Sequence, residues 1–409
     1  MTDGVVNDGA VTDGTANDRG EQLAIAPRLP LALKPVIRVM FRTEFANSEP
    51  SRMAMSVTDT DGGGDVVAGA CPPLWLGVDV GGTNIKWGLV DDGGRVLLRD
   101  HLPTYADQPP SLAIHRVVAA IDARLATRNW RRSDVQGIGL ATPGTMDIPS
   151  GMILEPPNLP GWRHFPVRDA LADASGLPVA FANDANAAAF GEHWAGSGGK
   201  LDSLLLLTLG TGVGGGVLVH GRTLDGTHSY GGECGHIIID PDPNARMCGC
   251  GRTGHLEAYA SATALVKRCE EALASGRSSS LGRTTLDPAG LSALAIGQAA
   301  AAGDGLAREL VLDTALYLGI GLASLIHVLD PAIVLLGGAM DFGGESSPLG
   351  REFLEKIRRE VGLRVFPDLA GKTTIRFASL GGDAGFIGAA GIARAASLGG
   401  SGLPHVRQG

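Results

Sequence analysis

Short apolar runs punctuated by glycine organise this chain from position 74 onward. Leu74-Trp-Leu-Gly-Val-Asp-Val80 reads as a buried strand, Gly81-Gly82-Thr83 turns it, and residues 85–90 return as a second strand. Asp91-Asp-Gly-Gly94 is a hairpin turn into a third strand at 95–99. Residues 112–127 switch to helical spacing. A strand follows at 135–141, ending in Thr142-Pro143-Gly144, then a loop rich in Pro and Gly over 146–162. The pattern predicts a helix at 167–174 and a strand at 179–182. Asn183-Asp-Ala-Asn186 stands at the end of that strand, with a helix over 187–194.

The pattern then starts again. Residues 204–209 are an apolar strand, 210–216 a glycine turn and 217–220 the return strand. Helices are predicted at 261–274, 291–302 and 306–329. The last is nearly all apolar, suited to a core or a dimer interface. Strands at 333–336 and 375–378 end in Gly337-Gly338 and Gly381-Gly382, and a small-residue helix runs to about 396. Two units that each begin strand, glycine turn, strand predict a duplicated α/β architecture. The smaller lobe spans 73–192, with the helix at about 384–396 packing back onto it. The larger lobe spans 193–383.

Composition narrows the class. At 409 residues, 44% hydrophobic and 19% charged, the chain suits two packed lobes rather than one core. The 61 glycines cluster at strand ends, as turns around a ligand require. With 34 basic against 43 acidic residues and no basic stripe, no nucleic-acid partner is expected. Five cysteines at irregular spacing make a poor disulfide framework and point to a reducing, cytoplasmic setting. No run approaches the ~18 apolar residues of a membrane span, and the acidic N-terminus does not read as a secretion signal. Residues 1–72 read as a disordered extension, and 397–409 as a disordered tail. Within the extension, 28–45 is basic and apolar but is broken by Pro30 and Pro35. Met53 and Met55 are alternative starts.

Two turns carry candidate chemistry. Asp79-Val-Gly-Gly-Thr-Asn84 joins two strands, so the amides of Gly81, Gly82, Thr83 and Asn84 can approach phosphate oxygens. Asp79, being anionic, suits Mg²⁺ held through water. Lys86 can offset charge. An ordinary hairpin has the same residues. Gly210-Thr-Gly-Val-Gly-Gly-Gly216 matches a dinucleotide fingerprint at Gly210, Gly212 and Gly215. That fingerprint must open a helix, whereas here a strand follows, which argues against hydride transfer. Gly371-Lys372-Thr373 is no Walker A loop, because Phe366 stands where its leading glycine belongs. Asp184 lies just past a strand, where ligand clefts of α/β sheets lie. There a carboxylate can take a proton from a hydroxyl or cap the following helix.

Asp79-Val-Gly-Gly-Thr-Asn-Ile-Lys86, Asn183-Asp-Ala-Asn186, Gly210-Thr-Gly-Val-Gly-Gly-Gly216, Glu233-Cys-Gly-His236 and Cys248-Gly-Cys-Gly-Arg-Thr-Gly-His-Leu-Glu257 occur in that order. Together they resemble the ROK family of bacterial sugar kinases and repressors, especially its ATP-dependent glucokinases, over about residues 74–396. The resemblance implies a two-lobed actin-like ATPase and hexokinase fold of duplicated ribonuclease H-like domains, closing over a cleft. It implies ATP with Mg²⁺ as donor, a hexose as acceptor and a homodimer. Asp184 would be the base. Asp79, Gly81, Gly82, Thr83, Asn84, Lys86, Gly210, Thr211, Gly212, Gly214 and Gly215 would hold phosphates, with Gly337, Gly338 and the Gly381-Gly382 turn beside the adenosine. Asn158, Asn183, Asp184, Glu233, His236 and Glu257 would hold the sugar, with Trp162 walling the site or filling core. His236, Cys248 and Cys250 would bind structural Zn²⁺. The family has a third Cys where this chain has His255, so the set becomes Cys₂His₂. Two buried thiols beside a hydrogen-bonded His would show the same residues.

Glucose phosphorylated at its 6-hydroxyl is the leading expectation. N-acetylglucosamine, N-acetylmannosamine and fructose are the alternative acceptors, and polyphosphate the alternative donor. A sugar-responsive repressor is the alternative of another class, although residues 1–72 show no helix pair of the DNA-binding kind.

Overall fold

The computed structural model describes residues 73–199, 201–282 and 290–399. The sequence expectations for 1–72 and 400–409 lie outside these residues. The first sheet is built around β1 (Leu74–Val80), whose residues are buried except Asp79. β2 (Asn84–Asp91) pairs with it antiparallel, setting Asp79 opposite Lys86. β3 (Val96–Pro103) closes the meander, and its alternating exposure marks it as the edge. The β2–β3 turn follows its sequence: Asp91 Oδ1 accepts from the amides of Gly93 and Arg95 at 3.0 and 2.9 Å, and Gly94 takes φ +89°. Helix α1 (Pro110–Ala126) leads to β4 (Val135–Thr142), which lies parallel to β1. A small hairpin of β5 (Met146–Asp147) and β6 (Met152–Ile153) precedes α2 (Val167–Ser175). β7 (Val179–Asn183) completes the sheet in the order β3-β2-β1-β4-β7. Trp162 is 1% exposed and fills the core between this sheet and α1 and α2.

The second sheet repeats that order. β8 (Ser203–Leu209), β9 (Val213–Val219) and β10 (Arg222–Thr223) form the antiparallel meander. β11 (Ile333–Gly338) lies parallel to β8, and β12 (Thr374–Phe377) lies parallel to β11, giving β10-β9-β8-β11-β12. Between the meander and β11 run α4 (Glu257–Ala260), α5 (Ala262–Ala274), α6 (Ala293–Ala301) and α7 (Gly305–Leu329). Helix α7 is long and apolar enough to cross a membrane by length and composition, although Arg308, Glu309 and Asp313 break its apolar run. Its apolar faces are covered by α4, α5, α6 and α8 (Pro348–Gly362), so it serves as the core helix of this layer. Helix α8 is absent from the sequence reading. Yet Leu349, Phe353, Leu354, Ile357 and Val361 recur at helical spacing, and Ser347 caps it by accepting from Gly350 N at 2.9 Å.

Helix α3 (Asp184–Trp194) and helix α9 (Ala384–Ser397) stand between the sheets. Glycine permits their closeness. A Cβ on Gly77 or Gly139 would overlap the carbonyls of Phe386 and Ala389, so α9 lies directly on β1 and β4. A Cβ on Gly388 would overlap the Ala187 carbonyl, and one on Gly191 would sit 2.5 Å from the Ala384 carbonyl. Two chain passages, 195–199 and 378–383, connect α3 and α9 to the second sheet. Glu192, wholly buried, ties them: its carboxylate accepts from the amides of Ser197, Ser379 and Leu380 at 2.8, 2.8 and 2.6 Å. Helix α9 runs to Ser397, one residue into the tail expected to be disordered.

Candidate active site

The first glycine turn is fixed from its carbonyl side. Gly81 N donates to Asn84 O at 3.0 Å to close it. Thr104 Oγ1 donates to Gly81 O at 2.7 Å, and Thr104 N to Thr83 O at 2.9 Å. Among the described residues the amides of Gly82 and Thr83 have no backbone acceptor. Asn158 packs on this turn, its Cβ 3.1 Å from where a Cβ on Gly82 would stand. Lys86 Nζ donates to Gly382 O at 2.9 Å. The Gly381-Gly382 turn therefore lies beside Lys86, at the start of α9. A Cβ on Gly385 would overlap the Asp79 carboxylate, so α9 approaches this group as well.

The second turn is shorter than its glycines suggested. β9 begins at Val213, so the turn is Gly210, Thr211 and Gly212. Gly214, Gly215 and Gly216 are strand residues, and their Cα atoms face packed neighbours. A Cβ on Gly215 would strike Gly232 and Cys234, and one on Gly216 would strike Ala185. Gly215 and Gly216 therefore answer to packing of the 232–234 segment and α3 on β9, while the Gly214 Cα faces Thr208 Oγ1 of β8. Carbonyls again carry the anchoring: Ala262 N donates to Gly210 O at 2.9 Å, and Thr263 Oγ1 to Thr211 O at 2.8 Å. Glu257 Oε2 accepts from Val213 N at 3.0 Å. Gly337 and Gly338 end β11 at the foot of this turn, where Gly338, at φ +92°, would overlap Leu209 if it carried a side chain.

The helix after β7 begins three residues before the sequence reading placed it. Asn183, not Asp184, is its cap, with Oδ1 accepting from Ala185 N and Asn186 N at 2.9 and 3.2 Å. Asp184 is the first helical residue, and its Oδ1 accepts from Ala185 N at 2.8 Å. Burial, then the Asp79 carboxylate, raise the Asp184 carboxyl to about 7, with Glu233 adding to the repulsion and the Ala185 amide opposing it. Asp79 is raised to about 6 by burial, against the attraction of Lys86. Asp184 thus lies within electrostatic reach of the Asp79 and Glu233 carboxylates, an arrangement suited to proton transfer. Asn186, 1% exposed, had no assigned role in the sequence. It ties α3 to the second sheet, accepting from Val217 N at 3.1 Å and donating to Asp225 Oδ1 at 2.9 Å.

His236, Cys248, Cys250 and His255 converge below the second turn. Their donor atoms all lie within 4.8 Å of one another. His236 Nδ1 is 3.2 Å from His255 Nδ1 and 3.8 Å from Cys248 Sγ, and Cys250 Sγ is 3.3 Å from His255 Nδ1. The free His236 nitrogen, Nε2, faces Glu233 Oε2 at 3.8 Å. Cys248 Sγ donates to Glu257 Oε1 at 3.3 Å. Glu257 therefore joins the Cys/His cluster to the second turn, with one oxygen on each.

The ROK family model matches residues 75–396. The chain belongs to the ROK family. A ROK glucokinase from Streptomyces griseus, solved with glucose and AMPPNP, is 34% identical, with a TM-score of 0.63 over 78% of this chain and 99% of that one. The ROK hexokinase of Thermus thermophilus is 35% identical, with a TM-score of 0.67 over 80% and 99%. In sequence, the glucokinase of Halalkalibacterium halodurans is 37% identical over 77% of this chain and 93% of its own length. The family is mixed in function: the xylose repressor of Caldicellulosiruptor bescii is 30% identical, over 71% of this chain and 70% of its own. The fold is accordingly the two-lobed actin-like ATPase and hexokinase type, and the matched sheet orders are its duplication.

Proposed function

We propose that this chain transfers the γ-phosphoryl group of ATP to the 6-hydroxyl of glucose, with Asp184 as general base. The observation that carries this is the position of Asp184. It opens α3 beside Asp79 and Glu233, poised near neutrality, in a fold with a phosphate-type turn at the head of each sheet. Ionised Asp184 takes the hydroxyl proton as the oxygen attacks phosphorus, a gain of ~10²–10⁴. The amides of Gly82, Thr83, Thr211 and Gly212 receive phosphate oxygens. Asp79 would hold Mg²⁺ through water, and that ion would neutralise charge on the transferring group. Asn158, Asn183, Glu233, His236 and Glu257 surround the sugar. Asn183 keeps only its amide nitrogen for this, since its oxygen caps α3.

The metal reading is zinc. A tetrahedral zinc with ligands at ~2.0–2.3 Å needs donors roughly 3.3–3.8 Å apart; three of the six separations, 3.2, 3.3 and 3.8 Å, lie near that range, and all four donors lie within 4.8 Å of one another. Zinc here would fix His236 and Glu257, and so the sugar contacts and the end of the second turn. Purified protein is expected to carry about one Zn per chain, and chelation to lower its melting temperature. A metal-free protein whose melting point ignores chelators would refute this.

The glucokinase is matched over 93% of its length and the repressor over 70%, which favours the enzyme over the regulator. The unpaired state of Cys234, Cys248, Cys250 and Cys269 suits the cytoplasm, where ATP is abundant. The deciding experiment is ADP release across glucose, fructose, N-acetylglucosamine and N-acetylmannosamine, with polyphosphate as a second donor. Glucose with ATP should give the highest kcat/KM. Sequence-specific DNA binding without any phosphorylation would overturn the reading. Mass photometry of the same sample tests the homodimer.

A further inference from the structure

We propose that Thr104 and Thr263 are paired positioning residues, each fixing the peptide planes of one glycine turn so that its amides face the nucleotide phosphates. This rests on the reading of both turns as phosphate-binding. Each turn has two of its carbonyls held by one threonine hydroxyl and one backbone amide. On the first turn a hydroxyl and an amide from Thr104 take the carbonyls of Gly81 and Thr83. On the second, the Thr263 hydroxyl and the adjacent Ala262 amide take those of Thr211 and Gly210. Both threonines follow the third strand of a meander and come before or at the start of the next long helix. Thr104 precedes α1, and Thr263 lies in the first turn of α5.

A trans peptide is planar, and its C=O and the next N–H point in opposite directions. Holding Gly81 O therefore aims Gly82 N–H the other way. Holding Gly210 O and Thr211 O aims the amides of Thr211 and Gly212. Glycine peptides flip readily because no Cβ restricts them, so the carbonyl anchors supply the rigidity that the glycines lack. The anchors are themselves held. Thr104 is wholly buried, and its carbonyl accepts from Arg116 Nη2 at 3.0 Å, whose guanidinium lies 4.5 Å from the Tyr105 ring centre. The Ala262–Thr263 segment is fixed by Ser261, whose Oγ caps α5 through Ala264 N at 3.1 Å.

Valine keeps the shape and the backbone amide of threonine but removes the hydroxyl; serine keeps the hydroxyl. Thr104→Val and Thr263→Val should each raise KM for ATP by about two- to tenfold. The glucose dissociation constant should hold, and Thr→Ser should restore the ATP value at each site. The double valine variant should show the product of the two effects, since the two anchors touch no common residue of the protein. Thr263 is exposed, so its variant tests the idea even if the buried Thr104→Val unfolds. Gly82→Pro, which deletes an amide of the first turn, separates the two levels of the claim. If it raises KM for ATP while folded Thr→Val variants do not, the positioning role is wrong and the phosphate reading stands. If Gly82→Pro also leaves KM unchanged, both are wrong.

Discussion

At pH 8 the Asp184→Asn variant should phosphorylate sugar about 10²–10⁴-fold more slowly than the parent and yet melt at a higher temperature. The two effects share one cause. The Asp184 carboxyl is raised from 3.8 to about 7 in the folded chain, first by burial and then by Asp79. The folded protein therefore binds this proton more tightly than the unfolded chain does. The linkage sign follows: between about pH 4 and pH 7 stability falls as pH rises, and above pH 7 the whole penalty applies. A rise from 3.8 to about 7 corresponds to ~4 kcal/mol at most. Asparagine has the same shape and no charge, so it removes that penalty at pH 8 and little at pH 4. At pH 4 the aspartate is already about half protonated in the unfolded chain and neutral in the folded one. Melting both proteins at pH 4 and pH 8 checks this directly. A variant that loses activity but gains no stability at pH 8 would mean that Asp184 is not a desolvated, repelled carboxylate. The parent's kcat/KM for sugar should also rise with pH through about 7, and Asp184→Asn should flatten that rise.

Much of this site was legible in the sequence because its parts are local. Strand, glycine turn and strand can be read from adjacent residues, and both turns lie where the pattern put them. The repeated sheet order follows from the same reading. What escaped depended on partners far along the chain. Whether Gly214 to Gly216 turn the chain or extend it is decided by Ala185, Gly232 and Cys234, which pack on them. The true cap of α3 is Asn183, one position before Asp184, because β7 runs one residue further than the pattern suggested and the helix starts directly after it. Thr104, Thr263, Asn186 and Glu192 act through hydrogen bonds to residues distant in sequence, and no periodicity announces such bonds. Helix α8 is the exception. Its apolar spacing and Ser347 cap were there to be read.

Gly388→Ala should be among the most damaging single methyl additions at the described glycines. Its Cβ would overlap the Ala187 carbonyl, a backbone atom in the first turns of α3 that cannot rotate away as a side chain would. Overpacking of well-filled sites costs about 1–3 kcal/mol, and a backbone neighbour puts this position at the upper end or beyond. The damage should reach the chemistry as well. Helix α9 rests on Asp79 through Gly385, and helix α3 begins with Asp184, so the α3–α9 spacing sets the distance between the two carboxylates. A shift of ~1 Å in a catalytic group costs up to ~10²-fold. At a temperature well below its melting point, Gly388→Ala should therefore lose kcat, not stability alone. Gly305→Ala, at the start of α7 with nothing within 4 Å of the new methyl, should change neither. Gly191→Ala probes the same gap from α3, where the added Cβ would lie 3.0 Å from Gly388 N. Once one methyl has parted the helices, the second meets a wider gap, so the double variant should cost less than the sum of the two. Full additivity would place the two glycines in separate contacts and remove the helix spacing as the link between them.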